Sequence, residues 1–234
     1  MLKPKKKITK KELKQDTLIS TYARLTSFYY ENKKYVSYAI TGIIVIVVVA
    51  IVVMNNRRAN NEKAETALGK IYPAYDAGTN DVRQYQMAID GQPERGIMGL
   101  KAISENYGGT EAGEIATFYL ANAYFNLRRY DEALNLFDKF SSGDKSMSAS
   151  ALAGEGSCYE AKKMYDKAAS CYEKAANKVS DAITTPEYLH LAAQCYALTG
   201  DKEKATNLYK RLKRDFPTST HAREAERYIA VFSA

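Results

Sequence analysis

The residues of this 234-residue chain that could do chemistry are two histidines, three cysteines and a scatter of carboxylates. Their spacing argues against most chemistries. His190 and His221 stand 31 residues apart, and His190 and Cys195 stand five apart, a poor interval for sharing one helix face. No CxxC pair, HExxH helix or glycine-rich phosphate loop is present. The sequence therefore offers no nucleophile with its base, no ligand set for a metal and no cradle for a cofactor. It reads as a non-enzymatic chain without a small-molecule substrate. Cys158, Cys171 and Cys195 are an odd number, which in an oxidising compartment leaves at least one thiol unpaired. Each stands next to a tyrosine or one turn from it, at positions expected to face inward. There cysteine behaves as a small hydrophobe, and a Cys158–Cys171 disulfide is the alternative.

The elements that must position these side chains follow from charge and apolar patterning. Residues 1–34 hold ten Lys/Arg against three acids, whereas residues 55–234 hold 24 of each sign. All of the net charge of +7 therefore sits in the N-terminal tail. Between them YVSYAITGIIVIVVVAIVVM, residues 35–54, runs without a charge. At about 1.5 Å per residue such a helix spans about 30 Å, the thickness of a bilayer hydrocarbon core. A cleavable leader fits poorly, because the basic start is too long and no small-x-small site follows. Lys and Arg close to the span do not decide its orientation. The wider tail does, and it predicts a cytoplasmic N-terminus with the C-terminal domain in the periplasm of a bacterial inner membrane. Within the tail, Thr9 and Glu12 form a capping box, and Leu18, Tyr22, Leu25 and Tyr29 share one helical face. That pattern suits a surface-lying amphipathic helix or a topology signal. Nucleic acid is not the expected partner, because the basic residues belong to a short tail beside a membrane.

Beyond the span one interval recurs. YLANAYFNLRRYDEALNLF, GSCYEAKKMYDKAASCY and AQCYALTGDKEKATNLY place a small residue, a tyrosine, an alanine and an aromatic at steps of three, nine and four. The twelve positions are Ala121, Gly156 and Ala193; Tyr124, Tyr159 and Tyr196; Ala133, Ala168 and Ala205; and Phe137, Tyr172 and Tyr209. A repeat near 35 residues with this content is two short antiparallel helices that cannot bury their apolar faces alone. These residues resemble the tetratricopeptide repeat, with Thr117, Leu152 and Leu189 where that family carries tryptophan. The expected fold is all-α, a single N-terminal transmembrane helix followed by a right-handed α-solenoid. Its division is a tail over 1–34, a span over 35–54, a linker over 55–62 and a repeat domain over 63–234. Within the last, a degenerate unit at 63–110 includes an irregular insertion, repeats lie near 114–147, 149–183 and 186–218, and a capping helix at 219–232 has Ser219 or Thr220 as N-cap.

Solenoids of this kind bind along the side lined by first-helix residues that do not pack inward. On this register those are Ile115, Phe118, Tyr119, Asn122, Phe125 and Asn126 in the first good unit. The second unit adds Ser150, Ala153, Gly154, Ser157 and Glu160, and the third Glu187, His190, Leu191 and Gln194. A groove that is aromatic at one end suits extended or helical apolar segments of another protein. An alternative is that some of these aromatics pack on the degenerate unit before them.

The architecture, with FYYENKK before the span and YGGTEAGEIATFYLANAYF opening the repeats, resembles the YfgM-like ancillary translocon family. That resemblance implies a subunit of a SecYEG-type channel that works with a periplasmic chaperone or receives unfolded clients. An envelope-assembly scaffold for cell-wall or outer-membrane factors, or a regulatory module acting through its cytoplasmic tail, are the alternative readings.

Overall fold

The computed structural model describes residues 21–23 and 26–233 and is helical almost throughout. The chain forms two compact units, Met1–Asn56 and Arg57–Ala234. Of the tail's predicted face, Tyr22 and Tyr29 are helical and exposed, whereas Thr9, Glu12, Leu18 and Leu25 lie outside the described residues. Helix α1, Lys33–Ala77, carries the whole apolar run and is long and apolar enough to cross a membrane. Its Ile, Val and Met side chains from Ile40 to Met54 are all more than half exposed or nearly so, as an apolar helix without protein around it must be.

Residues 55–62, expected as a linker, are helical and belong to α1. NNRRANNE contains neither Pro nor Gly to stop a helix, and Arg58 pairs with Glu62 one turn on at 3.5 Å. The irregular insertion is also corrected. It holds helix α2, Arg83–Asp90, then strands β1, Gly91–Gln92, and β2, Ile97–Met98, paired antiparallel around a 3-10 turn at Pro93–Arg95. Tyr85, Ala88 and Ile89 stand three and four apart and are buried together, which is sufficient to dock so short a helix.

Eight further helices make the rest of the second unit: α3 (Leu100–Tyr107), α4 (Glu111–Asn126), α5 (Tyr130–Lys139), α6 (Lys145–Ala161), α7 (Tyr165–Lys178), α8 (Thr184–Leu198), α9 (Lys202–Asp215) and α10 (Thr220–Ser233). From α3 onward each packs on the next. Thr110, Asp144 and Asp201 accept a backbone N–H three residues on, capping α4, α6 and α9. Ser219 does the same for Ala222 ahead of α10.

The recurring residues build the helix pairs. Ala133, Ala168 and Ala205 are fully buried, and Phe137, Tyr172 and Tyr209 are at most 4% exposed. Gly154 gives room for the Phe137 ring, since a Cβ there would lie 2.5 Å from it. Each pair turns through the same backbone motif. The carbonyls of Tyr124, Tyr159 and Tyr196 accept from Arg129, Met164 and Asp201, five residues on, and the residue before each acceptor's partner bonds back three. That motif needs a left-handed residue, and Arg128 (φ 60°), Lys163 (φ 60°) and Gly200 (φ 86°) supply it. A cation covers each signature tyrosine: Arg129 on Tyr124 at 4.4 Å, Lys167 on Tyr159 at 5.2 Å and Lys204 on Tyr196 at 4.8 Å.

Two apolar cores result, one reaching from Ala64 to Phe137 and one from Ala168 to Ala225. Helix α6 joins them, with Ala149 in the second and Ala151 and Cys158 in the first.

Candidate protein-binding groove

First helices α4, α6 and α8 share an open depression of about 560 Å³. Phe125 of α4 stands at one end and Leu191 and Leu198 of α8 at the other, with Ser157 and Glu160 of α6 between them. Leu198 is 61% exposed, a large apolar side chain with little cover. The floor is Tyr172 of α7. Its hydroxyl donates to Glu160 Oε2 at 2.8 Å and lies 3.0 Å from Ser157 Oγ. Burial first, and then the Glu160 carboxylate, push the Tyr172 phenol above its ordinary range, so it stays a donor. The Glu160 carboxylate is thereby fixed within an apolar rim, an arrangement that suits an apolar segment with one N–H or hydroxyl to place.

The predicted lining divides among several places. Phe125, Ser157, Glu160 and Leu191 meet in the depression just described. Ile115 and Tyr119 line a second one, against α1. Tyr119 packs on the rings of Tyr75 at 4.7 Å and Tyr72 at 5.5 Å, so the alternative expectation, aromatics packing on the preceding unit, describes it. Phe118 turns to its own second helix, with Phe137 at 6.0 Å and Phe140 at 5.7 Å. Asn122 and Asn126 each donate one turn back along α4, to Phe118 and Asn122 carbonyls. Glu187 is exposed and Gln194 half-buried.

His190 is only 9% exposed. Its Nδ1 lies 3.1 Å from the Tyr209 hydroxyl, and its ring stacks on His221 of α10 at 4.3 Å. In this structure it is a packing residue under the terminal helix. Burial, then His221, lower its pKa to about 4, with Glu224 opposing.

Sequence reasoning missed Tyr165 and Leu198 in the first depression and the α1 residues of the second. Leu198 was findable as an apolar residue at the end of a first helix. The α1 residues were not, because the recurring intervals fix a register only for the three good units and not for the degenerate one before them.

Cys158, Cys171 and Cys195 are free and buried. Burial, followed by Glu155 for the first two and Glu160 for the third, pushes each thiol up to about 12, far from nucleophilic use. Among the described residues no group of three or more His, Cys, Asp or Glu is placed to hold a metal ion.

The helix pairs, their intervals and their left-handed turns agree with the comparison to known families. Tetratricopeptide-repeat family models match residues 116–142, 149–177 and 187–219. These pairs are tetratricopeptide repeats. No curated protein matches the chain. Tetratricopeptide repeats are in general protein–protein interaction modules and not catalysts.

Proposed function

We propose that this protein is a membrane-tethered binding module whose repeats hold a segment of another protein. The observation that carries the reading is the depression in which Phe125, Leu191 and Leu198 surround a Glu160 carboxylate oriented by Tyr172. Residues 35–54 of α1 are the anchor, the basic tail over 1–34 stays in the cytoplasm and the repeat domain lies in the periplasm of a bacterial inner membrane. Tethering raises the effective concentration of the groove at the bilayer, so modest intrinsic affinity suffices. In its finer form the module is an ancillary subunit of a SecYEG-type channel that passes emerging chains to a periplasmic chaperone. The support for that role is the resemblance of FYYENKK and YGGTEAGEIATFYLANAYF.

The test is crosslinking in cells, purification of the full-length protein in mild detergent and mass spectrometry of what accompanies it. Wild type is compared with Phe125→Ala and Leu198→Ser, which change exposed or half-buried side chains. Channel subunits and a chaperone, with the chaperone reduced by the substitutions, support the reading. Cell-wall or outer-membrane assembly proteins would instead make the module a scaffold. A partner set unchanged by both substitutions would remove the groove from the account.

A further inference from the structure

The second depression, about 490 Å³ between α1 and α4, has a chemistry of its own. Its apolar wall is Leu68, Tyr72, Ile115 and Tyr119, with Tyr72 41% exposed. Pro73 and Gly69 are also part of the lining. Proline has no N–H, so the Gly69 carbonyl, four residues earlier in α1, has no helical donor. Gly69 is exposed and brings no side chain of its own to cover that oxygen, and even a Cβ there would meet nothing within 4 Å.

Two carboxylates stand at the same depression. Glu65 is held in place, because Asn61 Nδ2 donates to its Oε1 at 2.6 Å while Asn61 Oδ1 accepts the Ala112 N–H at 2.9 Å. Glu111, in the first turn of α4, takes part in none of the ion pairs among the described residues. No Lys or Arg lines the depression. Lys63 and Lys70 line a different depression along α1, against Gly96 and Met98, and Arg57 lines a third, which Glu111 also borders and where the guanidinium donates to the Gly109 carbonyl.

We propose that this depression docks an arginine-bearing apolar segment of a protein partner. The guanidinium donates to the Gly69 carbonyl and the Glu65 and Glu111 carboxylates, its plane lies on the exposed Tyr72 ring, and neighbouring apolar residues cover Leu68 and Ile115. Charge complementarity selects this occupant: a groove with three acceptors, an aromatic face and no cation fits a planar cationic donor. The inference names a partner chemistry for the binding module, yet it concerns a groove separate from the one across α4, α6 and α8.

The experiment uses the full-length protein in nanodiscs and fluorescence anisotropy of a labelled Ala/Leu/Tyr peptide carrying two arginines, beside its citrulline analogue. The arginine peptide binds, and the analogue binds at least roughly tenfold more weakly, as loss of a charge-assisted hydrogen bond requires. The pair Glu65→Gln with Glu111→Gln weakens the arginine peptide by a similar factor. Pro73→Ala restores a donor for the Gly69 carbonyl, so it weakens binding while raising Tm, a combination that misfolding does not produce. The weakening by Glu65→Gln with Glu111→Gln persists in a Leu198→Ser background, which assigns it to this groove and separates failure here from failure of the broader reading. Equal affinity for the two peptides, or no binding of the arginine peptide, overturns the proposal. So does self-association of the protein that the paired glutamine changes abolish, since that would assign the surface to a second copy.

Discussion

Acidification should loosen the C-terminal end of the repeats through His190. In the unfolded chain this imidazole takes up its proton near its ordinary 6.5, whereas burial and then His221 hold it to about 4 in the fold. Between those values the unfolded state binds more protons, so stability rises with pH across the window and is lost as pH falls through it. At about 1.4 kcal/mol per pH unit the separation corresponds to a ceiling of about 3 kcal/mol, a large share of the roughly 5–15 kcal/mol that hold a domain together. The loss is centred on α10, because His190 stacks on His221, and Tyr228 of the same helix stacks on Tyr209 at 4.9 Å. The assay is urea unfolding followed by circular dichroism from about pH 7.5 to about pH 4.5, wild type against His190→Gln, which keeps a partner for the Tyr209 hydroxyl. Carboxylates such as Asp201 and Asp215, held low by their Lys204 and Arg214 partners, titrate in both proteins, so the difference between the two isolates His190. Wild type should lose up to about 3 kcal/mol more than the variant over that range. Parallel curves would refute the reasoning.

Gly113 is in close backbone contact with the preceding turn, where a Cβ would lie 1.9 Å from the Tyr107 carbonyl oxygen. Gly113→Ala should therefore cost roughly 3 kcal/mol through overpacking and loss of the Thr110 cap, read as a lowered urea midpoint. Arg128→Gly and Lys163→Gly should each raise stability by roughly 0.5–1 kcal/mol in the same titration, because both residues hold a left-handed backbone that glycine adopts without strain. The three thiols, buried and raised to about 12, should resist iodoacetamide in the folded protein and all react after unfolding in guanidinium, counted by intact mass. One adduct instead of three after unfolding would mean that two of the three are bridged, and peptide mapping would then have to find the label on Cys195 for the pair to be Cys158–Cys171.

The repeats were legible because their signal is redundant. A small residue, a tyrosine, an alanine and an aromatic recur at fixed steps, and each is needed for two helices to meet. The apolar run of α1 was legible for the opposite reason, that a span needs length and composition and no partner. Local polarity misled at 55–62, where Asn and Arg read as linker although nothing there ends a helix. It misled again at 83–90, where a two-turn helix is stabilised by burial of Tyr85 and Ile89 and not by propensity. The groove was half legible. Register placed Phe125, Glu160 and Leu191 on the first helices, but which side chain stays open depends on neighbours far away in sequence. Phe118 is claimed by Phe140, Tyr119 by Tyr75 and His190 by a helix that begins 30 residues later. Spacing within one repeat carries none of that.

The three turns between first and second helices use LRR, KKM and TGD to make one backbone path, with the same pair of hydrogen bonds each time. Helical phase explains why the count cannot vary. Each residue advances a helix by about 100°, so adding or removing one at Arg128, Lys163 or Gly200 would rotate Ala133, Ala168 or Ala205 away from its partner helix. Changes of length in this protein are thus confined to whole duplicated units, or to places outside the pairs, such as the glycine-bearing segment 140–144. A longer groove would have to come from inserting an entire helix pair.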